Sequence, residues 1–569
     1  MSNLISAATT RNWAKLHTNS DGRLTGRANK RRSAKNIIPA EYLTHSENSV
    51  VIENIVRSIR ENNLPTDKAL YSVGIVLLRN VCIADCDHVR KTLNEYNIQP
   101  DETLLQVECP TNENDLLGYI YQCLMTEGHK NIIGSYYTPP GIVRNMTERL
   151  DFSQGQTFLD PCCGSGAYLI SLNCSNPQQL FGMDRDRIAV MICRINLLIK
   201  YRDKAFVPQI YCEDFLLTQR FADMRFDYIV TNPPWGAASQ SVETSHGQPE
   251  RMGISGETFA HFFVRSYEIL RCGGRMRFLF PYSVLNVKTH KELRRFMLEH
   301  GNLRMITVYD RVFSGVTTDC VDIELHNCES EEAMTVCSGG RKYETNKQWI
   351  DKTHNCAFHL MSEESHSVVE LVYRHPHRTL VGSQWALGIV TGDNNAKLRD
   401  EPADGDEPIY TGKEITAYRL LRPKKFIRFE PDHFQQCAPA EMYRAKEKLV
   451  YKFINRRLVF AYDDTGSMTL NSANILIPSV PGMSVKTVMA LLNSDLFSFL
   501  YRTMFGEIKI LQGNLTQLPF AEINADTDRM ITEMVDGILS GQTCLHEDIQ
   551  NVIADIYHLS DEMRRIVRG

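Results

Sequence analysis

The residues with the sharpest chemical meaning are Asn232-Pro233-Pro234-Trp235, which follow an apolar, β-branched run over Phe226–Val230 that reads as a strand. Pro233 and Pro234 have no N–H, so the backbone there is held extended and cannot donate. The Asn232 side-chain oxygen and the Pro233 carbonyl can then both accept hydrogen bonds. An aromatic amine offers two such hydrogens, and its lone pair is delocalised into its ring. Holding both hydrogens turns the nitrogen toward tetrahedral geometry and aims the lone pair at an electrophile such as a methyl sulfonium. Trp235 supplies a face on which a planar ring can stack. Taken alone, the same four residues also suit a strand-terminating turn with a buried Trp.

What precedes them narrows the choice. Phe158-Leu159-Asp160-Pro161-Cys162-Cys163-Gly164-Ser165-Gly166 follows one strand and leads into a helical stretch, so its backbone can approach a ligand closely. The next strand ends in Gly182-Met183-Asp184, about 20 residues on, where a carboxylate suits the hydroxyls of a ribose. A third, Gln209–Cys212, runs into Glu213-Asp214-Phe215. An acid followed by an aromatic can accept from an adenine amino group and stack on its ring. The spacing equally suits NAD or another adenosine ligand. Cys162 and Cys163 read as small turn fillers.

These motifs need a scaffold. Short β-branched or aromatic runs at Thr157–Leu159, Leu180–Met183, Tyr228–Val230, Met276–Phe280 and Met305–Tyr309 alternate with helical stretches, which predicts a parallel sheet covered by helices over 131–345. Before it, 46–130 carries helical apolar spacing (Val51, Ile55, Ile59; Leu117, Ile120, Leu124). Residues 1–45 form a basic arm, with Arg23, Arg27, Lys30, Arg31, Arg32 and Lys35 facing few acids. After it, 346–525 mixes irregular strands with basic clusters, and 526–569 is again helical.

With 569 residues and 43% hydrophobic content, the chain can build two or three domains with large cores. A net charge of −5 gives no global nucleic-acid signature, so any such surface must be a local patch. The longest apolar candidate for a membrane span, Ala69–Ala84, is broken by Arg79 and Asn80, and the N-terminus has no signal-peptide core. Sixteen scattered Cys read as reduced, cytoplasmic thiols. Cys82, Cys86 and His88 have no second ligand pair nearby, so no metal is expected.

At this point the sequence resembles the gamma-class DNA adenine-N6 methyltransferases of bacterial restriction–modification systems. In that class a leading motif precedes the glycine-rich turn, and the target-recognition region follows the catalytic domain. Gly134-Ser135-Tyr136-Tyr137-Thr138-Pro139-Pro140 looks like the leading motif, and Asp115-Leu116-Leu117-Gly118 resembles the helix before it. Gly273-Gly274-Arg275 before Phe278-Leu279-Phe280-Pro281 is similar to a later core strand. Thr391-Gly392-Asp393-Asn394, Leu492-Asn493-Ser494 and Leu518-Pro519 resemble recognition-domain motifs of self-sufficient type II enzymes.

The resemblance implies a Rossmann-like class I S-adenosylmethionine-dependent methyltransferase domain, a helical N-terminal segment and a C-terminal α+β target-recognition domain. Tyr137, Thr138 and Pro139 would line the methionine end of S-adenosylmethionine, with Asp160, Cys162, Gly164 and Gly166 at the glycine-rich turn. Asp184 would hold the ribose, and Asp214 with Phe215 the adenine ring. Asn232, Pro233, Pro234 and Trp235 would hold a target adenine swung out of the duplex, with Phe313 as a second stacking aromatic. Trp235 stands where Tyr or Phe is commoner, and Cys162 where Ala is usual.

Double-stranded DNA is the expected partner. Arg422, Lys424, Lys425 and Arg428, then Lys446, Lys448, Lys452, Arg456 and Arg457, are candidate contacts. Asp101 and Glu108 are spaced like nuclease metal ligands, but Pro110 stands where a catalytic Lys belongs, so a restriction endonuclease is expected to be another chain. Methyltransferases of RNA bases or protein glutamine share the Asn-Pro-Pro-aromatic signature. The motif at 134–140 and the long C-terminal region favour DNA over them. A modification subunit dependent on a separate specificity protein, and a non-enzymatic DNA-binding protein, are the other readings.

Overall fold

Strands of three to twelve residues, separated by helices and turns, build the central sheet of the N-terminal half; a computed structural model describes residues 43, 45–125, 138–153, 155–235, 254, 257–310, 319–350, 356–506 and 509–569. Tyr137, Phe313 and residues 1–42 of the basic arm lie outside them. The strands are β1 (Phe158–Asp160), β2 (Leu180–Asp184), β3 (Gln209–Cys212), β4 (Phe226–Thr231) and β5 (Leu270–Pro281). After them come β6 (Asn302–Tyr309), β7 (Cys320–His326), β8 (Ala333–Ser338) and β9 (Arg341–Asn346).

Their order across the sheet is β3-β2-β1-β4-β5-β7-β6-β8-β9. The first five run parallel, while β7 lies antiparallel between β5 and β6. From β1 the chain builds outward to β2 and β3, then returns to place β4 on the other side. The carboxyl ends of β1 and β4 are therefore a topological switch point, where open α/β sheets hold ligands.

The helices that frame this edge are α1 (Ser49–Glu61), α2 (Thr66–Asn80), α3 (Asp87–Asn94), α4 (Leu116–Leu124), α5 (Pro140–Thr147), α6 (Ala167–Ser171), α7 (Arg187–Lys200), α8 (Thr258–Glu268) and α9 (Lys291–Glu299). On α1, Ile52, Ile55, Val56 and Ile59 form one buried stripe at helical spacing. Their core is continuous with Phe158 of β1, Leu180 of β2 and Ile195 of α7. At Gly74 of α2 an added Cβ would sit 2.7 Å from Ile195 Cδ1, so α2 and α7 pack closely here and a larger residue would push the Ile195 side chain aside. Residues 46–125, set apart in sequence by their helical spacing, thus share a core with the sheet.

The chain separates into two packed units, one reaching Phe358 and the other starting at His359. The second holds α10 (Glu363–Arg374), α11 (Val485–Leu492), α12 (Asp495–Phe505), α13 (Ala525–Ser540), α14 (Leu545–Ile556) and α15 (Asp561–Arg568). It also holds two four-stranded sheets. Val368 of α10, Leu449 and Leu476 of one sheet, Phe497 of α12, Ile531 of α13 and Ile553 of α14 belong to a single core. The terminal helices of 526–569 therefore pack with the preceding region in place of standing apart.

Lys448 corrects an expectation. It is fully buried and paired across two strands with Asp463 at 2.6 Å, and it donates to the Tyr443 carbonyl at 2.6 Å. A side chain so enclosed cannot reach a phosphate. Replacing it with Met strands the Asp463 carboxylate, and removing one partner of a buried pair costs about 3–5 kcal/mol. Urea unfolding of Lys448→Met should show a loss of that order; a loss under about 1 kcal/mol would contradict the buried pairing.

Candidate active site

The turn after β1 is tied to the strand beside it. The Asp160 carboxylate, 1% exposed, accepts from the Thr231 hydroxyl at 2.6 Å and from the Cys162 N–H at 3.2 Å. The Cys162 thiol lies 2.9 Å from Thr231 Oγ1 and donates to the Asn232 carbonyl at 3.3 Å. Cys162 is thus more than a filler: it links the glycine-rich turn to the first residue of Asn-Pro-Pro-Trp. Cys163 is buried and packs in the core beneath.

Gly164 and Gly166 both have positive φ, 51° and 91°, a region that favours glycine. The Gly164 N–H donates to Asp184 Oδ2 at 2.9 Å. At Gly166 a Cβ would meet Cys193 Sγ at 2.6 Å, so its glycine is demanded from behind, by close packing on α7. Asp184, at the end of β2, also accepts from the Asp186 N–H at 2.9 Å. Burial raises its carboxyl above the usual range, against the pull of these two donors.

Beyond β3, Asp214 accepts from the Leu216 N–H at 2.9 Å and from Arg185 at 3.5 Å. Phe215 departs from its expected part. It is 2% exposed, its ring centroid lies 5.4 Å from that of Phe262, and the Arg265 guanidinium sits 5.6 Å away. An enclosed ring offers little face to a ligand, so Phe215 anchors the loop that carries Asp214.

The catalytic motif meets the leading motif at Thr138: the Asn232 amide nitrogen donates to Thr138 Oγ1 at 3.2 Å. Thr138 and Pro139 enter α5, with Pro139 as its N-cap and Pro140 at its first position, where a missing N–H is harmless. The helix is pinned to the sheet by Arg277 of β5, which pairs with buried Asp322 of β7 and donates to the Asn145 carbonyl at 2.9 Å. Tyr309 of β6 donates to Asn145 Oδ1 at 3.0 Å. Pro233 is buried and Pro234 half-buried. Trp235 donates its indole N–H to the Leu279 carbonyl of β5 at 3.2 Å, which fixes one edge of the ring. Thr138, Asp160, Cys162, Gly164, Asp184, Asp214, Asn232 and Trp235 are therefore gathered at the carboxyl edge of the sheet.

Sequence reasoning placed Asp115 at the lead-in helix but missed its part in the site. Its buried carboxylate accepts from the Ser165 hydroxyl, from Asn196 Nδ2 at 2.7 Å and from the Gly118 N–H at 3.0 Å. The signal was present: an Asp capping α4, with Gly118 three residues on, where a Cβ would sit 2.4 Å from Asp115 Oδ2.

In the second unit, Arg422, Lys424 and Arg456 are exposed, and Lys452 is half-buried. Lys425 pairs with Asp400 at 2.6 Å, and Arg457 pairs with Asp495. Beside them Ile454 is 59% exposed and bridges to Lys509, another exposed cation.

Sheet order, glycine-rich turn and acids ending successive strands define a class I S-adenosylmethionine-dependent methyltransferase. Residues 112–336 match a family model described as N-6 DNA methylase, and 407–520 one described as a TaqI-like C-terminal specificity domain. The type II methyltransferase M.VspI of Vibrio sp. (strain 343) is 32% identical over 308 residues, 53% of this chain and 75% of that protein. The type I restriction enzyme EcoEI methylase subunit of Escherichia coli is 27% identical over 241 residues, 37% of this chain and 48% of that subunit. Among solved structures, the type IIL restriction–modification enzyme MmeI, in complex with DNA, matches with a TM-score of 0.61 at 11% identity. That likeness of fold covers 90% of this chain and 92% of MmeI. The chain belongs to the N-6 DNA methylase family, as an adenine-specific, S-adenosylmethionine-dependent DNA methyltransferase of the type II restriction–modification kind.

The donor set fits this cofactor. An ionised carboxylate accepts at about four positions. Asp184 and Asp214 each accept two hydrogen bonds from the protein, which leaves capacity for a ribose diol and an adenine amine. No helix among the described residues is long and apolar enough to cross a membrane.

Two buried acids make stability depend on pH. Burial pushes both Asp115 and Asp160 up to about 7 from the ordinary 3.8, outweighing the donors that pull them down. Each holds its proton more tightly folded than unfolded. Their contribution to stability is therefore full below 3.8 and is lost as pH rises through about 7. Urea unfolding between about pH 5 and about pH 8 should show declining stability in the wild type and a shallower decline in Asp115→Asn and Asp160→Asn. Equal slopes in all three proteins would sink this assignment.

Proposed function

We propose that the chain methylates N6 of an adenine swung out of duplex DNA, using Asn232, Pro233 and Trp235 to hold the base, at a sequence selected by residues 359–569. The carrying observation is the hydrogen bond from Asn232 Nδ2 to Thr138 Oγ1 at 3.2 Å. It spends the amide nitrogen on the protein and so fixes the side chain with its oxygen as the acceptor. The Asn232 backbone carbonyl receives the Cys162 thiol, so the second accepting group is the carbonyl of Pro233.

The two acceptors take one amino hydrogen each and draw the nitrogen out of conjugation with the ring. Trp235, tethered to Leu279, stacks on the base and keeps the amine in register. Asp184 binds the ribose of the cofactor and Asp214 its adenine amine, while Thr138 and Pro139 border its methionine end. S-adenosylmethionine supplies the methyl group on its sulfonium when bound. Excluding water from this crevice strengthens each polar contact on the developing charge.

Target selection by the same chain is supported by the TaqI-like specificity domain at 407–520. The exposed cations Arg422, Lys424 and Arg456, together with Lys452, meet phosphates, while Lys425 and Arg457 contribute less because carboxylates already hold them. Cleavage, where the system has it, belongs to a separate chain. In support, Asp101 is engaged by Lys68 at 3.3 Å and by Thr103. The reading puts the enzyme in the cytoplasm of a bacterium or archaeon, where chromosomal DNA and S-adenosylmethionine meet.

Asn232→Ala should keep its affinity for S-adenosylmethionine in calorimetry. It should lose about 2.7–4 kcal/mol of transition-state stabilisation, roughly a hundred- to thousandfold in methyl transfer to DNA. Wild-type turnover by the folded variant would end this reading.

For DNA binding, Arg456→Ala should weaken affinity and reduce the slope of log K against log salt by about 0.9. Arg457→Ala, whose charge is already met by Asp495, should change that slope by less. An equal slope in wild type and Arg456→Ala would return this residue to the ordinary surface.

A further inference from the structure

Helix α4 reads in sequence as a lead-in to the motif at 134–140, yet its side chains grip two turns of the cofactor site. At its N-cap, Asp115 accepts from the hydroxyl of Ser165, the residue between Gly164 and Gly166. Asn196 of α7 doubles this hold, donating to Asp115 Oδ1 at 2.7 Å and to the Ser165 carbonyl at 3.0 Å. From further along α4, Tyr121 donates its hydroxyl to Asp186. Asp186 in turn donates its N–H to Asp184 Oδ1 at 2.9 Å and caps α7 through the Ile188 N–H at 2.8 Å.

The turn after β1 and the turn after β2 are thus bonded to one rigid element, and to each other through Gly164 and Asp184 at 2.9 Å. The first turn has little stiffness of its own, since two of its three residues from 164 to 166 are glycines at positive φ. A ligand that must order such a turn on binding loses affinity for it; a turn already ordered does not.

We propose that α4 is a clasp that holds both cofactor-binding turns in their binding geometry, with Asp115 and Tyr121 as positioning residues for S-adenosylmethionine. The proposal rests on the reading that these two turns hold the cofactor. Neither side chain touches the cofactor; each acts through a residue that shapes a turn. Ser165 carries the first link and Asp186 the second. Ser165→Ala and Tyr121→Phe each remove a single hydroxyl and leave packing volume almost unchanged, so both variants are expected to fold.

Calorimetry of the full chain with S-adenosylmethionine, paired with steady-state methylation of DNA, tests the clasp. Ser165→Ala and Tyr121→Phe should each weaken cofactor affinity roughly tenfold, the scale of one hydrogen bond. Binding stoichiometry should stay that of the wild type. The KM for S-adenosylmethionine should rise in step, with kcat at saturating cofactor and the KM for DNA within about twofold of wild type. Unchanged affinity in both variants overturns the clasp. So does a fall in stoichiometry with unchanged affinity of the remainder, which marks a role in folding only. Wild-type protein that binds no S-adenosylmethionine overturns the site reading itself, and the clasp with it.

Discussion

The hydrogen bond from Thr231 to Asp160 is the contact on which the rest of the site depends. It crosses the switch point just past Leu159 and Ile229, the last residues paired between β1 and β4, where the backbone ladder no longer holds the two strand ends together. One carboxylate does so instead. It takes the Thr231 hydroxyl with one oxygen and the N–H of the following turn with the same atom, so the two turns share an origin. Burial of an acid at this place carries a cost that only its donors offset. Methyl transfer needs donor and acceptor aligned to fractions of an ångström, and a shared origin supplies that alignment before either substrate arrives.

Around this contact the polar groups form two further layers. The inner one is Gly164–Asp184 and Cys162–Asn232, which set the heights of the two turns. The outer one draws on elements far away in the chain: α4 through Asp115, and β5, β7 and β6 through the Arg277–Asp322–Asn145–Tyr309 group. A buried guanidinium satisfied from several directions fixes α5 more tightly than apolar packing, which tolerates sliding. The helix carries Thr138 at its entrance, and Thr138 sets the orientation of Asn232.

The strands, the two glycines and the Asn-Pro-Pro-Trp turn were legible because each depends on neighbours in sequence: period-two apolar runs, positive φ, missing N–H groups. The partners of these motifs were not. Asp115 and Ser165 stand 50 residues apart, and nothing local in either announces the other. Phe215 looks like a stacking platform after Asp214 until Phe262 and Arg265, from a later helix, enclose it. Lys448 looks like one more cation in a basic string until Asp463 arrives opposite it on the paired strand. Polar and aromatic residues have two uses, toward ligand or toward core, and the tertiary fold decides between them.

In the second unit one core joins Val368 of α10 to Val567 of α15, beside smaller cores around Ile409 and Ile415. The family match to a specificity domain spans only 407–520, so that stretch lacks both α10 before it and α13 to α15 behind it. A chimaera built by exchanging 407–520 alone would cut through helix–sheet contacts on both flanks and expose Ile531, Val535 and Ile553. The natural graft between relatives is therefore the whole of 359–569, joined at Phe358. Exchange at this seam would move the helices and both four-stranded sheets as one piece and leave the core that joins them uncut.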